Sequence, residues 1–329
     1  MIRDWYRAFR GFYPVDNPPR DFVSRFLFSA RSIILVISAQ AAMIGGLMAL
    51  LDRRFNSLRF VLLLFALVSL HAVSNLSNDY FGYRRGHDTP DSPRRRYTLH
   101  PLADSVMTGR QILASLAVLL AIDLAIALLF VHWAGIWMLA YAVSGMAILI
   151  LYDATPVSLK EIGLGEFASF IVWGPLMVSG GYFAITGHLS LPALIAGIPY
   201  GLGVMTVLLG KHIDQAAFDA AHGIHTLPVL LGERISRWLE IGLIFAMYCI
   251  IVVAVFTGIL PWLTLLVFIN IPRCWHAVRI LASERPAAAP AGYVGWPLWY
   301  HRFSLQHNRS FGWLYIAGLL FAVVYYRLR

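Results

Sequence analysis

Two clusters of amide, acidic and basic side chains directly follow long apolar stretches in this 329-residue chain. The first includes Asn75, Asn78 and Asp79. Because residues 75 and 79 stand four apart, a helix would place them on one face with Asn78 beside them. Carboxylate and amide oxygens at a helix end suit Mg²⁺, which keeps part of its hydration and bridges to phosphates. The first cluster therefore predicts a magnesium site that is open to a phosphate ligand.

The second cluster closes a later apolar stretch and has a similar mixture of acids and bases. Its members are Lys211, His212, Asp214 and Asp219. Arg84 and Arg85 follow the first cluster, and guanidinium groups bind phosphate oxygens two at a time. Two such clusters at the ends of apolar helices predict one shared site.

Apolar residues dominate the rest of the chain. Hydrophobic residues make up 59% of it and charged residues 13%, against roughly 25% charged residues in soluble domains, and the mean hydropathy is +0.69. Apolar runs of about 20 residues, the length that crosses a hydrocarbon core, predict nine membrane spans near 31–51, 58–77, 111–132, 134–152, 165–187, 189–209, 236–258, 260–282 and 310–326. Pro272, Arg273 and His276 interrupt the eighth, so a broken or re-entrant helix is expected there as readily as a straight one.

Lysines and arginines set the expected orientation, because short cytoplasmic loops carry an excess of them. Placing the N-terminus in the cytoplasm leaves 21 of the 26 basic residues on that side. Both polar clusters then face the cytoplasm, and the sequence predicts a multi-pass protein of the cell (inner) membrane. Segment 1–30 has aromatic and basic residues at its start without an apolar core, which predicts an interfacial segment rather than a cleaved signal.

Other classes of protein are disfavoured. The net charge of +9 comes from basic residues spread along membrane edges without a nucleic-acid-binding module, so membrane lipid is an expected partner and nucleic acid is not. Cys249 and Cys274 lie in apolar context and indicate neither a disulfide framework nor a metal knuckle. A single transmembrane domain over 1–329 is predicted, with active-site loops at 79–110 and 211–235. Nothing in the sequence indicates the oligomeric state.

A lipid diphosphate is a ligand that suits both the charged clusters and the apolar helices that precede them. Its head would lie at the charged edge and its chain among the apolar helices. Aromatic residues, 14% of the chain, could shelter a carbocation formed when the diphosphate leaves, and Mg²⁺ would neutralise the leaving group. Tyr152 is the best candidate among these aromatic residues, because it closes a span beside the expected mouth.

Three blocks of sequence carry a family resemblance. Residues 75–89 have the pattern Asn-x-x-Asn-Asp-Tyr-x-x-Tyr-x-x-Gly-x-Asp-Thr, residues 151–177 contain Gly-Leu-Gly-Glu and Trp-Gly-Pro-Leu-Met, and residues 219–232 read Asp-x-x-x-Gly-x-x-Thr-Leu-Pro-Val-Leu-Leu-Gly. In this order they resemble the UbiA superfamily of intramembrane aromatic prenyltransferases, and within it the branch that prenylates dihydroxynaphthoate in menaquinone synthesis. The resemblance implies an all-α fold around a central cavity, Mg²⁺ held by Asp-rich motifs on the second and sixth helices, and transfer from a prenyl diphosphate to a lipophilic acceptor.

Two positions depart from the family pattern. Gly82 stands where the first motif has a further Asp, and Gln215 stands where the second motif begins with Asp. Asp214 and Asp219 lie five apart, which turns an ideal helix by roughly 140°, so a shared face requires a local bend. If a metal site is rebuilt, Asp88, Asp91 or His212 is expected to compensate.

The resulting hypothesis is a membrane prenyltransferase that stabilises the charge growing on the leaving diphosphate. Metal is assigned to Asp79, Asp88, Asp214 and Asp219 with help from Asn75 and Asn78, and diphosphate to Arg84, Arg85 and Lys211. His212 and Lys160 are further substrate-binding candidates. Backbone hydrogen bonding by His212 and an ion pair between Lys160 and Glu166 are open alternatives.

Two other functions stay open from sequence. A terpene cyclase or another diphosphate lyase on the same scaffold would let the cation react with its own chain, which the altered acidic motifs permit. An ion-coupled transporter would use carboxylates at the membrane edge and predicts charges deep within several spans. The identity of the acceptor and the length of the prenyl chain are not determined.

Overall fold

The computed structural model describes residues 2–9, 18–86, 92–153 and 158–328, and within these ranges the chain contains helices and no strand. The α-helices are α1 (Ile2–Phe9), α2 (Phe22–Ser29), α3 (Val36–Leu51), α4 (Ser57–Arg84), α5 (Gly109–Ala134), α6 (Trp137–Asp153), α7 (Gly165–Ile171), α8 (Gly180–Thr186), α9 (Leu191–Ala221), α10 (Leu227–Leu231), α11 (Glu233–Phe256), α12 (Ile271–Ala282) and α13 (Tyr300–Leu328). A π-helical segment, Val172–Ser179, joins α7 to α8, and a 3₁₀ helix, Trp262–Asn270, leads into α12.

Eight helical segments in the described ranges are long and apolar enough to cross a membrane, and α6 is a shorter apolar helix. These nine segments correspond one to one to the nine predicted spans, which confirms the all-α, multi-pass class. The eighth span, for which the sequence left a broken and a straight helix equally open, is divided: the 3₁₀ helix gives way to α12 at Asn270, two residues before Pro272.

Three helices extend well beyond their predicted spans. α4 continues to Arg84, α9 continues to Ala221, and α13 begins ten residues before its apolar run. Hydropathy detects only the apolar part of a helix, and the additional turns carry polar residues such as Asp79 and Asp214, which bind other segments of the chain. Asp79, Asp214 and Asp219 therefore lie within the final turns of helices and not in the loops that follow them.

Local sequence determines where the long helices begin. Asn56 accepts a hydrogen bond from the backbone of Arg59 at the start of α4, and Ser190 accepts one from Ala193 at the start of α9. α5 begins with a complete capping box, in which Thr108 and Gln111 each bind the backbone of the other. Each cap satisfies amide groups that a helix N-terminus leaves without internal partners.

Close backbone contact positions α9 against the π-helical segment. A Cβ atom added to Gly201 would lie 2.7 Å from Gly174 Cα, and one added to Gly197 would lie 2.6 Å from the Gly174 carbonyl oxygen. Small residues of this kind let membrane helices approach closely enough for extensive van der Waals contact. This contact fixes α9, which carries the second polar cluster at its far end.

Candidate active site

A cavity of about 870 Å³ lies between α3, α4, α5, α6, the π-helical segment, α9 and α13. Most of its wall is aliphatic or aromatic. Its polar end is formed where α4 and α9 end and where α3 and α13 begin, and is lined by Arg31, Asn75, Asn78, Arg94, Tyr97, Lys211 and His301. Asn75 and Asn78 of the first predicted cluster and Lys211 of the second thus line the same cavity, whereas Asp79, Asp214 and Asp219 are not among its lining residues.

The cavity also reaches the outer surface between α5 and α6. Four residues line it while being largely exposed: Leu124 (61% exposed), Leu128 (60%), Leu139 (45%) and Val143 (57%). This side opening is apolar and lies in membrane-spanning helices, so it faces lipid.

Asp79 is a deeply buried acidic residue at the polar end. Its side chain is only 2% exposed, and its Oδ1 accepts hydrogen bonds from both Arg31 Nη2 and Arg94 Nη1. Its Oδ2 is buried without a hydrogen-bond partner in the described part of the chain. A buried carboxylate shared by two guanidinium groups leaves a net positive charge beside the cavity.

Arg31 occupies a backbone conformation that is uncommon for a side chain of its size. Its φ of 55° and ψ of 51° lie in the left-handed region, and such residues persist only when the surrounding structure holds them. Asn75 supplies part of that support, since its Nδ2 donates to the Ala30 carbonyl at 2.9 Å. Asn75 thus helps to direct the neighbouring Arg31 toward the cavity.

Arg94 comes from the folded segment that precedes α5. It belongs to the 3₁₀ turn Pro93–Arg96, and the segment is anchored by buried Leu99, Val106 and Met107, which pack with residues of α2, α4 and α5. Because these apolar contacts fix the segment, Arg94 is held at the mouth of the cavity.

Tyr97, in the same segment, lines the polar end of the cavity together with Asn78 and Lys211. Burial raises the pKa of the Tyr97 hydroxyl, although Arg94 and Arg31 act in the opposite direction. Tyr97 is therefore a neutral hydrogen-bond donor at the end of the cavity to which both clusters contribute lining residues.

The acidic residues of the second cluster have separate partners. Asp214 Oδ1 accepts from the backbone N–H of Tyr300 at 3.1 Å, and its Oδ2 accepts from that of His301 at 3.0 Å. Asp219 Oδ2 accepts from the Thr226 hydroxyl at 3.3 Å. The two carboxylates therefore face different neighbours along an unbroken α9. Asp214 caps α13, a helix that begins 86 residues later in the chain.

Replacing Asp214 by alanine should destabilise the protein by about 1–3 kcal/mol, because two backbone N–H groups lose their acceptor at a helix N-terminus. The measurement is the apparent Tm of the detergent-solubilised chain. Gln215→Ala, at the half-buried adjacent position, is the control and should leave Tm nearly unchanged. An unchanged Tm together with abolished catalysis would assign Asp214 to the metal instead.

The remaining predicted site residues are distributed around this end. Lys211 and Tyr152 line the cavity. Arg84 is exposed, and Arg85 binds Glu161 at 3.1 Å; neither lines the cavity. His212 Nδ1 lies 2.8 Å from Glu166 Oε1 in a fully buried pair. The sequence left an ion pair between Glu166 and Lys160 open, and the structure gives Glu166 the partner His212. Lys160 is half-buried away from the cavity lining, and Asp88 and Asp91 lie outside the described residues.

Sequence reasoning assigned no chemical role to several polar residues of the cavity wall, including Arg31, His71 and Asp123. Asp123 Oδ2 accepts from the Ser69 hydroxyl at 2.9 Å in the middle of α4 and α5. Glu240, in α11, accepts from Ser304. An acidic residue inside an apolar run is itself a signal of a buried polar contact, and this signal was present in the sequence for Asp123 and Glu240.

The oxygen atoms near Asp79 fit a magnesium ion that is shared with a substrate. Within the described ranges, no three His, Cys, Asp or Glu side chains are close enough to form a metal cage. Mg²⁺ is commonly held by one or two carboxylates and completed by water and substrate phosphates. Asn75 and Asn78 line the cavity and Asp79, on the same helix, does not. The buried Asp79 Oδ2, which has no partner among the described residues, and the amide oxygens of the two asparagines are the donors that such a partial set would use.

The fold and the cavity define an all-α membrane protein with a mostly apolar chamber that has a group of basic side chains at one end. A family model described as the UbiA prenyltransferase family matches residues 39–304. The chain belongs to the UbiA prenyltransferase family. Membership confirms that it is a membrane prenyltransferase, which excludes the transporter alternative.

Individual relatives extend this result. The chain is 26% identical over 316 residues to 1,4-dihydroxy-2-naphthoate octaprenyltransferase of Bacillus subtilis (strain 168), covering 94% of this chain and 96% of that one. A UbiA homologue from Archaeoglobus fulgidus bound to GPP and Mg²⁺ has a TM-score of 0.63 at 15% identity, over 91% of this chain and 99% of the other. The apo structure of a UbiA homologue from Aeropyrum pernix K1 has a TM-score of 0.62 at 21% identity, over 88% and 97%. The two structures establish a shared fold.

Proposed function

We propose that this protein transfers an isoprenyl group from a prenyl diphosphate to a hydroxylated aromatic acid, as a step in the synthesis of a menaquinone-type quinone. The observation that carries the proposal is the mainly apolar cavity, one end of which is lined by Arg31, Arg94 and Lys211. A diphosphate head and an isoprenoid tail match these two environments. The naphthoate octaprenyltransferase relative supports the choice of acceptor.

Arg31, Arg94 and Lys211 bind the diphosphate in this proposal. As the bond between C1 and the diphosphate oxygen breaks, the electron pair stays on the oxygen, and the three cations stabilise the charge that develops there. The acceptor ring supplies the electrons for the new carbon–carbon bond to C1 and then loses the proton from the attacked carbon to the released diphosphate. Tyr97 donates a further hydrogen bond at the same end.

Asp79, Asn75 and Asn78 hold Mg²⁺ in this proposal, with Asp219 as the contribution of the second cluster. Bound Mg²⁺ would supply additional positive charge to the leaving diphosphate. Asp214 is assigned to the start of α13, because both of its oxygens already accept backbone hydrogen bonds. We also propose that the polar end faces the cytoplasm from the inner membrane, that 1–329 forms one domain, and that α1, which exposes Ile2, Trp5, Tyr6 and Phe9, lies on the membrane surface.

The test uses purified full-length protein in detergent. Prenyl diphosphates of increasing length are supplied with 1,4-dihydroxy-2-naphthoate and Mg²⁺, and products are identified by mass spectrometry. We expect a prenylated naphthalene product, released pyrophosphate, and loss of both when EDTA is added. No transfer with any aromatic acid would contradict the proposal.

A reaction without an acceptor distinguishes the cyclase alternative, which Gly82 and Gln215 at expected Asp positions keep open. A transferase should release little pyrophosphate in that reaction. A cyclic hydrocarbon or alcohol formed from the donor alone would assign the protein to the cyclases.

A further inference from the structure

His71 lies where the polar lining of the cavity on α4 gives way to apolar lining. Asn78, Asn75 and His71 follow one another along one face of α4, and all three line the cavity. Beyond His71 the lining residues of α4 are Leu70, Leu67, Ala66 and Leu63. At 1.5 Å per residue, His71 lies about 6 Å deeper than Asn75 and about 12 Å deeper than Asp79. His71 is therefore the deepest polar group that α4 presents to the cavity.

Contacts from two other helical segments hold the His71 ring. Ser38 Oγ, in α3, lies 2.9 Å from His71 Nδ1 and accepts a hydrogen bond from Trp173 Nε1 at 2.9 Å. The Trp173 ring meets the His71 ring edge to face, with 5.0 Å between centroids. Ser38 is fully buried and His71 is 6% exposed. The imidazole ring is thus held in one orientation by packing and by a short hydrogen-bond chain.

The geometry of the π-helical segment brings Trp173 to this position. Val172–Ser179 contains Pro175, which lacks the N–H that would continue an α-helical ladder. Single π-helical turns inside α-helices occur frequently at functional sites. Here the segment places Trp173 in the cavity wall and directs its indole N–H toward Ser38.

The hydrogen-bond chain indicates which nitrogen of His71 carries the hydrogen. The indole of Trp173 is only a donor, so Ser38 Oγ accepts from it. The hydrogen of the Ser38 hydroxyl is then directed to His71 Nδ1, because residues 2–9, 18–86, 92–153 and 158–328 offer it no other acceptor. A neutral imidazole that accepts at Nδ1 carries its hydrogen on Nε2. Among those same residues Nε2 has no hydrogen-bond partner, which leaves one N–H donor for a ligand in the cavity.

We propose that His71 binds the acceptor by donating a hydrogen bond from Nε2 to a hydroxyl or carboxylate oxygen of the aromatic acid. This inference rests on the proposed function. With its diphosphate at Arg31 and Arg94, a donor places C1 just below the polar end, near the level of Asn75 and His71. The ring that attacks C1 must lie beside it, and its polar substituent needs a donor because an unpaired polar group in an apolar chamber is costly. Trp173 adds an aromatic surface beside that ring.

Equilibrium binding separates the acceptor site from the donor site. In His71→Leu we expect the Kd of detergent-solubilised protein for 1,4-dihydroxy-2-naphthoate to rise about 10- to 100-fold, and the Kd for geranyl diphosphate to change less than about twofold. His71→Gln, which keeps an N–H donor, should recover part of the naphthoate affinity. Ser38→Ala, which releases the ring, should lose an intermediate amount.

The matched control is His132→Leu, the same change at an exposed position in the last turn of α5 that does not line the cavity. It should bind both ligands as the wild type does. Three results would overturn the assignment: equal naphthoate binding by wild type and His71→Leu, equal losses of affinity for both ligands in His71→Leu, or no naphthoate binding by the wild type. Naphthoate binding that depends on His71 without any prenyl transfer would instead contradict the proposed function and leave the binding site in place.

Discussion

Replacing Asp79 by asparagine is expected to lower kcat for prenyl transfer by about 10³-fold, with little change in KM for the prenyl diphosphate. Asparagine has the shape of aspartate without its charge, so it is a poor ligand for Mg²⁺. Arg31 and Arg94, which both bind Asp79 Oδ1, lose their counter-ion but can still bind the diphosphate. The substitution therefore removes charge stabilisation at the leaving group and preserves donor binding.

The measurement is the initial rate of product formation over a series of donor concentrations at saturating Mg²⁺ and acceptor. Asp52→Asn is the control, because Asp52 lies at the other end of α3 outside the cavity lining and accepts a hydrogen bond from the Tyr182 hydroxyl at 2.6 Å. Asparagine can still accept that bond. An Asp79→Asn enzyme with wild-type kcat would show that Asp79 is not a metal ligand.

The substitution Arg94→Met is expected to act on the donor. It should lower kcat/KM for the prenyl diphosphate by about 10²- to 10³-fold, mainly through a higher KM, since the charge-assisted hydrogen bonds from the guanidinium group to phosphate are lost. Arg94→Lys retains the charge without the two-pronged geometry and should recover part of the activity. Donor titrations followed by mass spectrometry measure both variants.

The neighbouring arginine supplies the control for this prediction. Arg96 belongs to the same 3₁₀ turn as Arg94 but is exposed and does not line the cavity. Arg96→Met changes the net charge and the composition of the segment by the same amount, so it should leave donor kinetics unchanged. Equal effects of the two substitutions would indicate general attraction of the anionic donor and no direct contact from Arg94.

The membrane spans were predictable because a continuous apolar run of sufficient length has few alternatives. Several contacts at the polar end were not, because they join residues that are distant in the sequence. Arg31 and Arg94 reach Asp79 from 48 and 15 residues away. Arg84 and Arg85 were assigned to the diphosphate because they follow Asp79 closely. The continuation of α4 to Arg84 instead leaves Arg84 exposed and Arg85 against Glu161.

The same reasoning explains the second cluster. Spacing alone correctly indicated that Asp214 and Asp219 face different directions on a regular helix. It could not indicate that Asp214 caps α13, since a cap supplied by one helix to another leaves no local pattern. Lys211 differs, because it follows directly on the apolar run of α9 and lies at the cavity in the structure.

The apolar gap between α5 and α6 changes what limits the length of a substrate. Leu128 and Val143 belong both to the inner wall and to the outer surface, so no protein barrier closes the chamber there. The distal isoprene units of a long donor can extend among the acyl chains of the bilayer. An additional CH₂ group there stays in an apolar surrounding whether the donor is free in the membrane or bound to the protein, so it adds almost nothing to the binding free energy. Short and long donors would then bind with similar affinity, and a product too hydrophobic for water could diffuse sideways into the bilayer without passing the charged mouth.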